Sequence, residues 1–472
     1  MVRLFNTLTR QVDAFTPLNP PSVGLYTCGP TVYNYVHLGN LRTYLFEDVL
    51  RRVLEAGGFA VKHVMNITDV GHLTSDADTG EDKVESQARK EHKDAYELAR
   101  FYTQAFVHDL DALNIQRPHV MVKATSTIDL QIDLIKRLEQ NGFAYLASDG
   151  VYFDTSRFPN YGRLGGQRKQ DKKAGARVAV NPQKRNQNDF ALWKFSKPAD
   201  KRQMEWPSPW GAGFPGWHIE CSAMSMHELG EQFDVHTGGV DHIPIHHENE
   251  IAQSEAATGK HPFVKYWLHG EFLVLPEKRM GKSEGNFVTL SELPKRAIHP
   301  LAFRYLVLQT HYRSKLTFSW QALEAAHQGL LNLWLTIDTQ PATPKIGCAE
   351  FEQRFRDSLD NDLDTPQALA IMHEMLKSDY PWSAKLQSLE VFDRVLGIGL
   401  GNQAVRQHFP PLDDSQSAAI ESLVQEREVA RQQKKWDRAD ELRQQINQAL
   451  APFHRALQDT PTGPAIKPRF RH

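Results

Sequence analysis

Three consecutive segments, GLYTC (residues 24–28), LRTYLFEDVLRRV (41–53) and FAVKHVMNI (59–67), predict a strand, a helix and a second strand. The first and third are short apolar runs, and the second carries its apolar residues at helical spacing. Gly57 and Gly58 stop the helix before the second strand begins. This βαβ unit predicts a parallel sheet, in which ligands bind where the first strand ends and the helix begins.

The same sheet character returns much later in the chain. Residues 233–239 predict a strand ending in glycines, 246–257 a helix, and 264–275 a further strand. Between residues 163 and 202 the chain carries twelve Lys or Arg against three Asp or Glu. We therefore predict an α/β protein whose Rossmann-type parallel sheet is split by an inserted basic module.

The rest of the chain is predicted to be largely helical. Residues 101–147 have a helical pattern, and the chain after residue 301 is predicted to be helical to its end. The last segment, 461–472, is rich in proline and basic residues and has little to bury. We expect that tail to be mobile.

Length and composition exclude several classes of protein. A chain of 472 residues is too long for one compact core, and its net charge of −2 excludes a globally basic nucleic-acid binder. No signal peptide and no apolar run long enough to cross a membrane is recognisable, so we expect a cytoplasmic protein without membrane contact. Three cysteines, Cys28, Cys221 and Cys348, do not suggest a disulfide framework.

Two short motifs indicate nucleotide chemistry. His37-Leu38-Gly39-Asn40 lies between the first strand and its helix, where Gly39 admits a phosphate and His37 stabilises developing charge. Residues 278–286 form a cationic loop in which Lys282 is the natural partner of a leaving pyrophosphate. Each has a plain alternative, an ordinary loop histidine and a solvated basic loop.

A third set of residues has the chemistry of a metal site. His246 and Glu250 are four residues apart and share one face of the predicted helix. With Cys28 and Cys221 they make a plausible set of zinc ligands. Spacing alone does not choose among the nearby histidines, which are His236, His242, His246 and His247. The alternative is a pair of buried cysteines beside a salt-bridged helix face.

Together these residues resemble the bacterial cysteinyl-tRNA synthetases along nearly the full chain. The matching segments are 26–33, 37–40, 66–69, 189–194, 216–224, 246–250 and 279–283. Class I synthetases carry a His-Ile-Gly-His and a Lys-Met-Ser-Lys-Ser motif. Here Asn40 replaces the second histidine and Gly281 replaces a serine, while Lys282 is retained.

The resemblance implies a role for individual residues. It implies that zinc is bound by Cys28, Cys221, His246 and Glu250, and that cysteine is contacted by Gly29, Thr68 and Trp217. The residues that it implies for catalysis are His37, Asn40 and Lys282, and those for ATP are His37, Asn40, Gly239, Asp241, Met280, Lys282 and Ser283. Zinc stabilises a thiolate, so it would select cysteine over serine, and Mg²⁺ would accompany ATP.

By the same resemblance the helical C-terminal half binds tRNA(Cys), and the enzyme is expected to be a monomer. Residues 362–369 resemble the start of one helix on the anticodon side. Lys434, Lys435 and Trp436 resemble another contact, where Trp436 either stacks on a base or packs in the core. The basic insert either faces the acceptor stem or is a solvated loop.

The resemblance also suggests how the chain is divided. The predicted parts are 1–120 and 213–265 (two halves of the Rossmann-type catalytic domain), 121–212 (inserted connective module), 266–322 (connector with residues 279–283), 323–410 (helical-bundle anticodon-side domain) and 411–472 (C-terminal helices and basic tail). The nearest alternative function is a cysteine ligase that acts on a small amino sugar, which would need no anticodon module. A zinc-containing RNA-binding protein without catalysis is less consistent with His37 and Lys282.

Overall fold

The computed structural model describes ten ranges of the chain. They are 1–71, 73–75, 79–166, 184–197, 202–275, 287–340, 343–401, 412–453, 455–460 and 463–468. The strands are β1 Arg3–Asn6, β2 Gln11–Ala14, β3 Ser22–Thr27, β4 Ala60–Ile67, β5 Leu73–Ser75, β6 Thr79–Asp82, β7 Val120–Lys123, β8 Ala144–Ala147, β9 Gly150–Phe153, β10 Phe190–Phe195, β11 Gly213–Pro215, β12 Phe233–Gly239, β13 Val264–Gly270, β14 Leu273–Val274, β15 Leu316–Thr317, β16 Arg455–Thr460 and β17 Gly463–Pro468.

The helices of the described ranges occur throughout the chain and dominate its last third. They are α1 Leu38–Ala56, α2 Lys83–Glu91, α3 Ala95–Ala112, α4 Ile128–Gln140, α5 Trp217–Leu229, α6 His246–Thr258, α7 Glu292–Lys295, α8 Pro300–Leu308, α9 Trp320–Asp338, α10 Ala349–Asp360, α11 Thr365–Lys377, α12 Trp382–Leu396, α13 Asp414–Gln432 and α14 Trp436–Leu450. Within these ranges, no helix combines the length and apolar content that a membrane span requires.

Five parallel strands form the centre of the fold, in the order β13-β12-β3-β4-β7. β12 pairs directly with β3, so strands from two distant parts of the chain become neighbours. This confirms the predicted α/β fold with a split parallel sheet. The carboxyl ends of β3 and β12 lie side by side, at the edge where ligands bind in sheets of this kind.

Helix α1 connects β3 to β4 and is buried along most of its length. Its apolar stripe includes Leu41, Leu45 and Val49, which belong to the larger hydrophobic core. It also buries Glu47 and Asp48, which are 1% and 2% exposed. Buried carboxyl groups need partners, so this helix carries polar contacts as well as apolar packing.

Along the chain, a second sheet is inserted between the strands that form the two halves of the parallel sheet. It is antiparallel, in the order β11-β10-β9-β8. Phe153 of β9 and Phe190 of β10 stack at 5.0 Å between ring centroids and help form the core of this insert. The helical prediction for 101–147 is wrong in two places, because β7 completes the parallel sheet and β8 starts the insert. Most of the predicted basic loop, 167–183 and 198–201, lies outside the described residues.

The end of the chain differs from the prediction. Where continued helix and then a mobile tail over 461–472 were predicted, β16 and β17 form an antiparallel hairpin. Residues 461, 462 and 469–472 of the predicted tail lie outside the described residues. Leu457 of this hairpin is 2% exposed and packs with Ile446 and Leu450 of α14. Arg455 is paired with Asp338 of α9 at 2.5 Å. These contacts hold the hairpin against α14 and α9. The composition of the segment alone does not show them, because the partners lie in other elements.

Residues 362–369, predicted to open a helix, contribute two different contacts. Asp364 caps α11 by accepting a hydrogen bond from the Gln367 amide at 3.1 Å. Asp362 accepts instead from the Phe5 amide at 2.8 Å and the Tyr312 hydroxyl at 2.7 Å. Asp362 therefore joins the helical half of the chain to its N-terminal strand.

Candidate metal centre and active site

Four buried side chains from separate elements meet at the carboxyl edge of the parallel sheet. Cys28 follows β3, Cys221 lies in α5, and His246 and Glu250 lie one turn apart in α6. One ligand atom from each lies within 4.8 Å of the corresponding atom of every other. These are the four residues that the family resemblance named.

The arrangement fits a cation with mixed sulfur, nitrogen and oxygen ligands. Oε1 of Glu250 lies 3.0 Å from Nε2 of His246, yet that buried oxygen makes no hydrogen bond in the described part of the chain. Two atoms that approach without hydrogen-bond geometry are arranged like two ligands of one ion. Two cysteines, one histidine and one carboxylate are also a ligand set that zinc uses.

Burial and the neighbouring groups shift the pKa values of three of these side chains. Burial, followed by the neighbouring Cys221, raises the pKa of the Cys28 thiol well above its usual value. The Cys28 hydrogen bond lowers the pKa of Cys221 despite burial. Burial opposes ionisation of Glu250, but His236 and His246 outweigh it and lower its pKa to about 2. Of these three groups, only the Cys28 thiol has its ionisation opposed by its surroundings, and a bound cation would favour its thiolate.

Further histidines surround the four residues. His218 contacts His246 through Nδ1 of each ring at 2.9 Å, and His269 contacts Nδ1 of His247 through Nε2 at 2.8 Å. Such outer contacts fix the orientation of imidazoles that bind metals. The sequence interpretation left His247 open and missed His218 and His269. His269 lies opposite Gly238 near the carboxyl ends of β13 and β12, and this pairing, which the sequence alone does not show, places it beside the cluster.

The residues expected to contact the amino acid lie around this cluster. The Trp217 ring, in the first turn of α5, is 4.4 Å from the His246 ring. Thr68 donates its hydroxyl hydrogen to the buried carboxylate of Glu220 at 3.1 Å. A Cβ atom at Gly29 would lie 1.7 Å from the Asn66 carbonyl oxygen, so only glycine fits where the chain leaves β3.

His37 and Asn40 form the N-terminal cap of α1. The backbone N–H of Asn40 donates a hydrogen bond to Nδ1 of His37 at 3.1 Å. In return, the backbone N–H of His37 donates to the side-chain oxygen Oδ1 of Asn40 at 3.3 Å. A Cβ atom at Gly39 would lie 2.9 Å from the same Nδ1. The motif is thus also a capping box, and Asn40 has a structural role that the sequence interpretation did not assign.

The other expected ATP contacts are only partly described. Gly239 ends β12 and Asp241 lies in the short 3₁₀ turn that follows, at the same edge of the sheet as Cys28. Met280, Lys282 and Ser283 lie outside the described residues.

The expected tRNA contacts belong to the C-terminal helix pair. Lys434 has a positive φ of 55° in the turn between α13 and α14, and Lys435 is the residue before α14. Trp436 is 59% exposed, which argues against a packing role for its ring. These residues form an exposed basic and aromatic turn, separate from the buried cluster.

Comparison with known proteins gives three consistent results. Residues 14–328 match the family model described as tRNA synthetases class I (C) catalytic domain. The chain is 48% identical to Cysteine--tRNA ligase 1 of Burkholderia lata, covering 98% of this chain and 95% of that protein. It is 44% identical to the Cysteine--tRNA ligase of Treponema denticola, covering 94% and 96% respectively.

A similar fold is found in a solved structure. Methionyl-tRNA synthetase of Mycobacterium tuberculosis, bound to methionyl-adenylate, superimposes with a TM-score of 0.56. The match covers 79% of this chain and 90% of that one at 14% identity. This likeness supports the fold only.

Proposed function

The chain belongs to the cysteine--tRNA ligase family of class I tRNA synthetases, and on that premise we propose that it recognises cysteine through a metal ion. Membership means that the chain joins cysteine to tRNA with ATP. The proposed ligands are Cys28, Cys221, His246 and Glu250, and the proposed metal is zinc. The observation that supports this most is the meeting of these four side chains within 4.8 Å.

The proposed ion explains how cysteine is separated from serine. Zinc, when bound there, stabilises a thiolate and so favours the cysteine side chain over the hydroxyl of serine. A pocket that relied on shape alone would discriminate weakly between these near-isosteres. Trp217 would cover the pocket, because its ring already lies against the His246 ring. Thr68 and the backbone at Gly29 would orient the amino acid beside it.

We assign the activation of cysteine to the edge of the sheet beside this cluster. The cysteine carboxylate would attack the α-phosphate of ATP and release pyrophosphate, which Mg²⁺ would accompany. The N-terminus of α1, with His37 and Asn40, would attract the phosphates. Gly239 and Asp241 would hold the adenosine, while Met280, Lys282 and Ser283 would complete the ATP site, with Lys282 stabilising the leaving group.

The C-terminal helices are the proposed tRNA-binding part, with Trp436 stacking on a base and Lys434 and Lys435 holding phosphates. The exposure of Trp436 supports this assignment. We also propose that the enzyme acts as a monomer in the cytoplasm, where tRNA is charged. The amino-sugar ligase alternative lacks support, since the curated relatives cover nearly the whole chain, including these helices.

The proposal is tested by metal analysis together with cysteine-dependent exchange of pyrophosphate into ATP. The parent should hold one zinc per chain and exchange with cysteine but not serine. Cys221→Ser should lower kcat/KM for cysteine at least about 100-fold, since removal of a metal ligand weakens both ion and substrate. Cys348→Ser is the matched control, because Cys348 is also buried but precedes α10 and is absent from the cluster.

Two outcomes would contradict the proposal. One is a zinc-free protein that binds cysteine as tightly as the parent. The other is a Cys221→Ser variant that holds no zinc by metal analysis and yet keeps the parent's discrimination against serine. Charging of tRNA by the parent, set against transfer to an amino sugar, separates the two ligase activities.

A further inference from the structure

Glu250 directs its two carboxylate oxygens at two different imidazoles. Oε1 lies 3.0 Å from Nε2 of His246, and Oε2 lies 2.9 Å from Nε2 of His236. All three side chains are buried. The Glu250 carboxylate therefore lies between two groups of possible ligand atoms. The first group includes His246, and the second includes His236.

The second group has the composition of a metal site in its own right. Sγ of Cys28 lies 3.4 Å from Nε2 of His247, and Oε1 of Glu250 lies 4.0 Å from the same nitrogen. The ligand atoms of Cys28, His236, His247 and Glu250 all lie within 4.8 Å of one another. Zinc bonds of about 2.0–2.3 Å place tetrahedral ligand atoms roughly 3.3–3.8 Å apart. The 3.4 Å separation of Cys28 and His247 falls in this range, and the 4.0 Å separation of Glu250 and His247 lies slightly above it.

The two imidazoles of this group are oriented as metal ligands are. Nδ1 of His247 contacts Nε2 of His269 at 2.8 Å, and Nδ1 of His269 contacts the Thr7 hydroxyl at 2.7 Å. Nδ1 of His236 lies 3.2 Å from the carbonyl oxygen of Thr237. In both rings a neighbour holds Nδ1, so Nε2 points at Cys28 or Glu250. Outer contacts of this kind fix the tautomer and the ring plane of metal-binding histidines.

We propose that the pocket offers one transition-metal ion two alternative ligand sets that share Cys28 and Glu250. The first set is completed by Cys221 and His246, and the second set by His236 and His247. Because both sets use the same thiolate and carboxylate, one ion occupies either set. The second set retains the ion when Cys221 or His246 is lost. It has one thiolate and two imidazoles, which still suits Zn²⁺ or Co²⁺.

The competing interpretation is that His236 and His247 only donate hydrogen bonds, to the Glu250 carboxylate and to the Cys28 sulfur. The two interpretations differ in what happens when the first set is removed. A hydrogen-bonding role leaves no site for an ion, whereas the second set leaves a complete one.

The test is titration of the metal-free full-length chain with Co²⁺, whose sulfur-to-metal charge-transfer absorption reports the number of bound thiolates. The parent should bind one Co²⁺ with absorption from two thiolates. Cys221→Ser/His246→Gln should still bind one Co²⁺, with about half that absorption and weaker affinity. The matched variant His236→Gln/His247→Gln should bind one ion with the full absorption, and a variant with all four substitutions should bind none.

The proposal is overturned if Cys221→Ser/His246→Gln shows no saturable Co²⁺ binding while circular dichroism shows it folded. Two ions per parent chain would also overturn it, because the shared ligands would then serve both sets at once. If the double variant does not fold, X-ray absorption of zinc-loaded Cys221→Ser decides. Two bound imidazoles support the second set, and one contradicts it. These readouts do not require activity, so they are separate from the test of the proposed function.

Discussion

Two buried groups of charged residues lie close to helix α1, and they differ in whether side chains and backbone of the protein satisfy all of their charged oxygens. One is the cysteine–histidine cluster at the sheet edge. The other, here called the Arg304 network, joins α1 to the helical half through Arg304, Asp48 and Arg52. Both groups are almost fully excluded from water. They differ in one respect: Oε1 of Glu250, in the cysteine–histidine cluster, has no hydrogen bond among the described residues, whereas both carboxylate oxygens of Asp48 in the Arg304 network have partners.

The Arg304 network satisfies its charges internally. The Arg304 guanidinium is 2.6 Å from Asp48 and donates hydrogen bonds to the carbonyl oxygens of Leu396 and Asn114 at 2.5 and 3.0 Å. Arg52 adds a second ion pair with Asp48 at 2.8 Å. A buried charge is costly unless it is paired. Because each charge of this network has a partner within the protein, the network needs no ligand from outside the chain.

The difference teaches how a buried polar cluster is to be interpreted. A cluster whose donors and acceptors are matched holds structure together. A cluster of thiols, imidazoles and a carboxylate with an unmatched oxygen indicates a ligand from outside the chain. Three predictions sharpen this comparison, in order of decreasing effect.

The largest effect is expected from Arg304→Met. It leaves Asp48 with one fewer cation and removes donors from several buried carbonyls, so the free energy of unfolding should fall by about 3–5 kcal/mol. Urea unfolding measures this loss. The matched control is Arg354→Met, because the Arg354–Glu374 pair is exposed and solvent screens it, so its loss should change stability little. Equal losses in the two variants would show that the network is no more important than a surface pair.

A smaller change in the free energy of unfolding is expected when Zn²⁺ is added. If the cysteine–histidine cluster is the incomplete one, Zn²⁺ at about 100 times its Kd should stabilise the parent by about 2.7 kcal/mol. Thermal unfolding with and without a chelator measures this. His246→Gln/Cys221→Ser should show a smaller gain because its site is weaker. Arg304→Met should keep the full gain, since its defect lies outside the cluster; a lost gain there would mean the two regions are not separate.

The smallest effect concerns Glu47, which adjoins Asp48 in sequence but faces the cluster. Burial raises the pKa of Glu47 to about 8, partly offset by a hydrogen bond from the Thr237 hydroxyl at 2.8 Å. The unfolded chain releases this proton from about pH 4.5, whereas the folded chain keeps it to about pH 8. Stability therefore falls across that window. Measured only between about pH 6 and about pH 7.5, a window of about 1.5 pH units, Glu47→Gln should gain about 2 kcal/mol relative to the parent.

Asp48→Asn is the matched control for that experiment. Burial opposes ionisation of Asp48, but Arg304 and Arg52 outweigh it and hold its pKa below its usual value. Its contribution is present above the unfolded pKa and is lost as pH falls through the folded one. The substitution should therefore be most harmful at neutral pH and less harmful in acid, the reverse of Glu47→Gln. A pH-independent difference for Glu47→Gln would contradict the assigned burial effect.

Much of the fold was predictable because its signals are local. The spacing of Leu41, Leu45 and Val49 and the glycine-ended run 233–239 predicted α1 and β12 without knowledge of their neighbours. The C-terminal hairpin was not predictable, because its order depends on Leu457 reaching α14 and Arg455 reaching Asp338. Asn40 was interpreted as a phosphate contact, and its role in capping α1 needed the geometry of His37.

The amino-acid sequence by itself determined the parallel-sheet architecture, the family and the kinds of ligand atom available at the site, because periodicity and residue chemistry are written locally. Only the tertiary structure decided which histidines stand beside Cys28 and Glu250, and that Asp48 belongs to an ion network while Glu47 does not. Those outcomes depend on β3 and β12, far apart in the chain, becoming neighbours. Spacing along a chain cannot encode distances of 3 Å between residues more than two hundred positions apart.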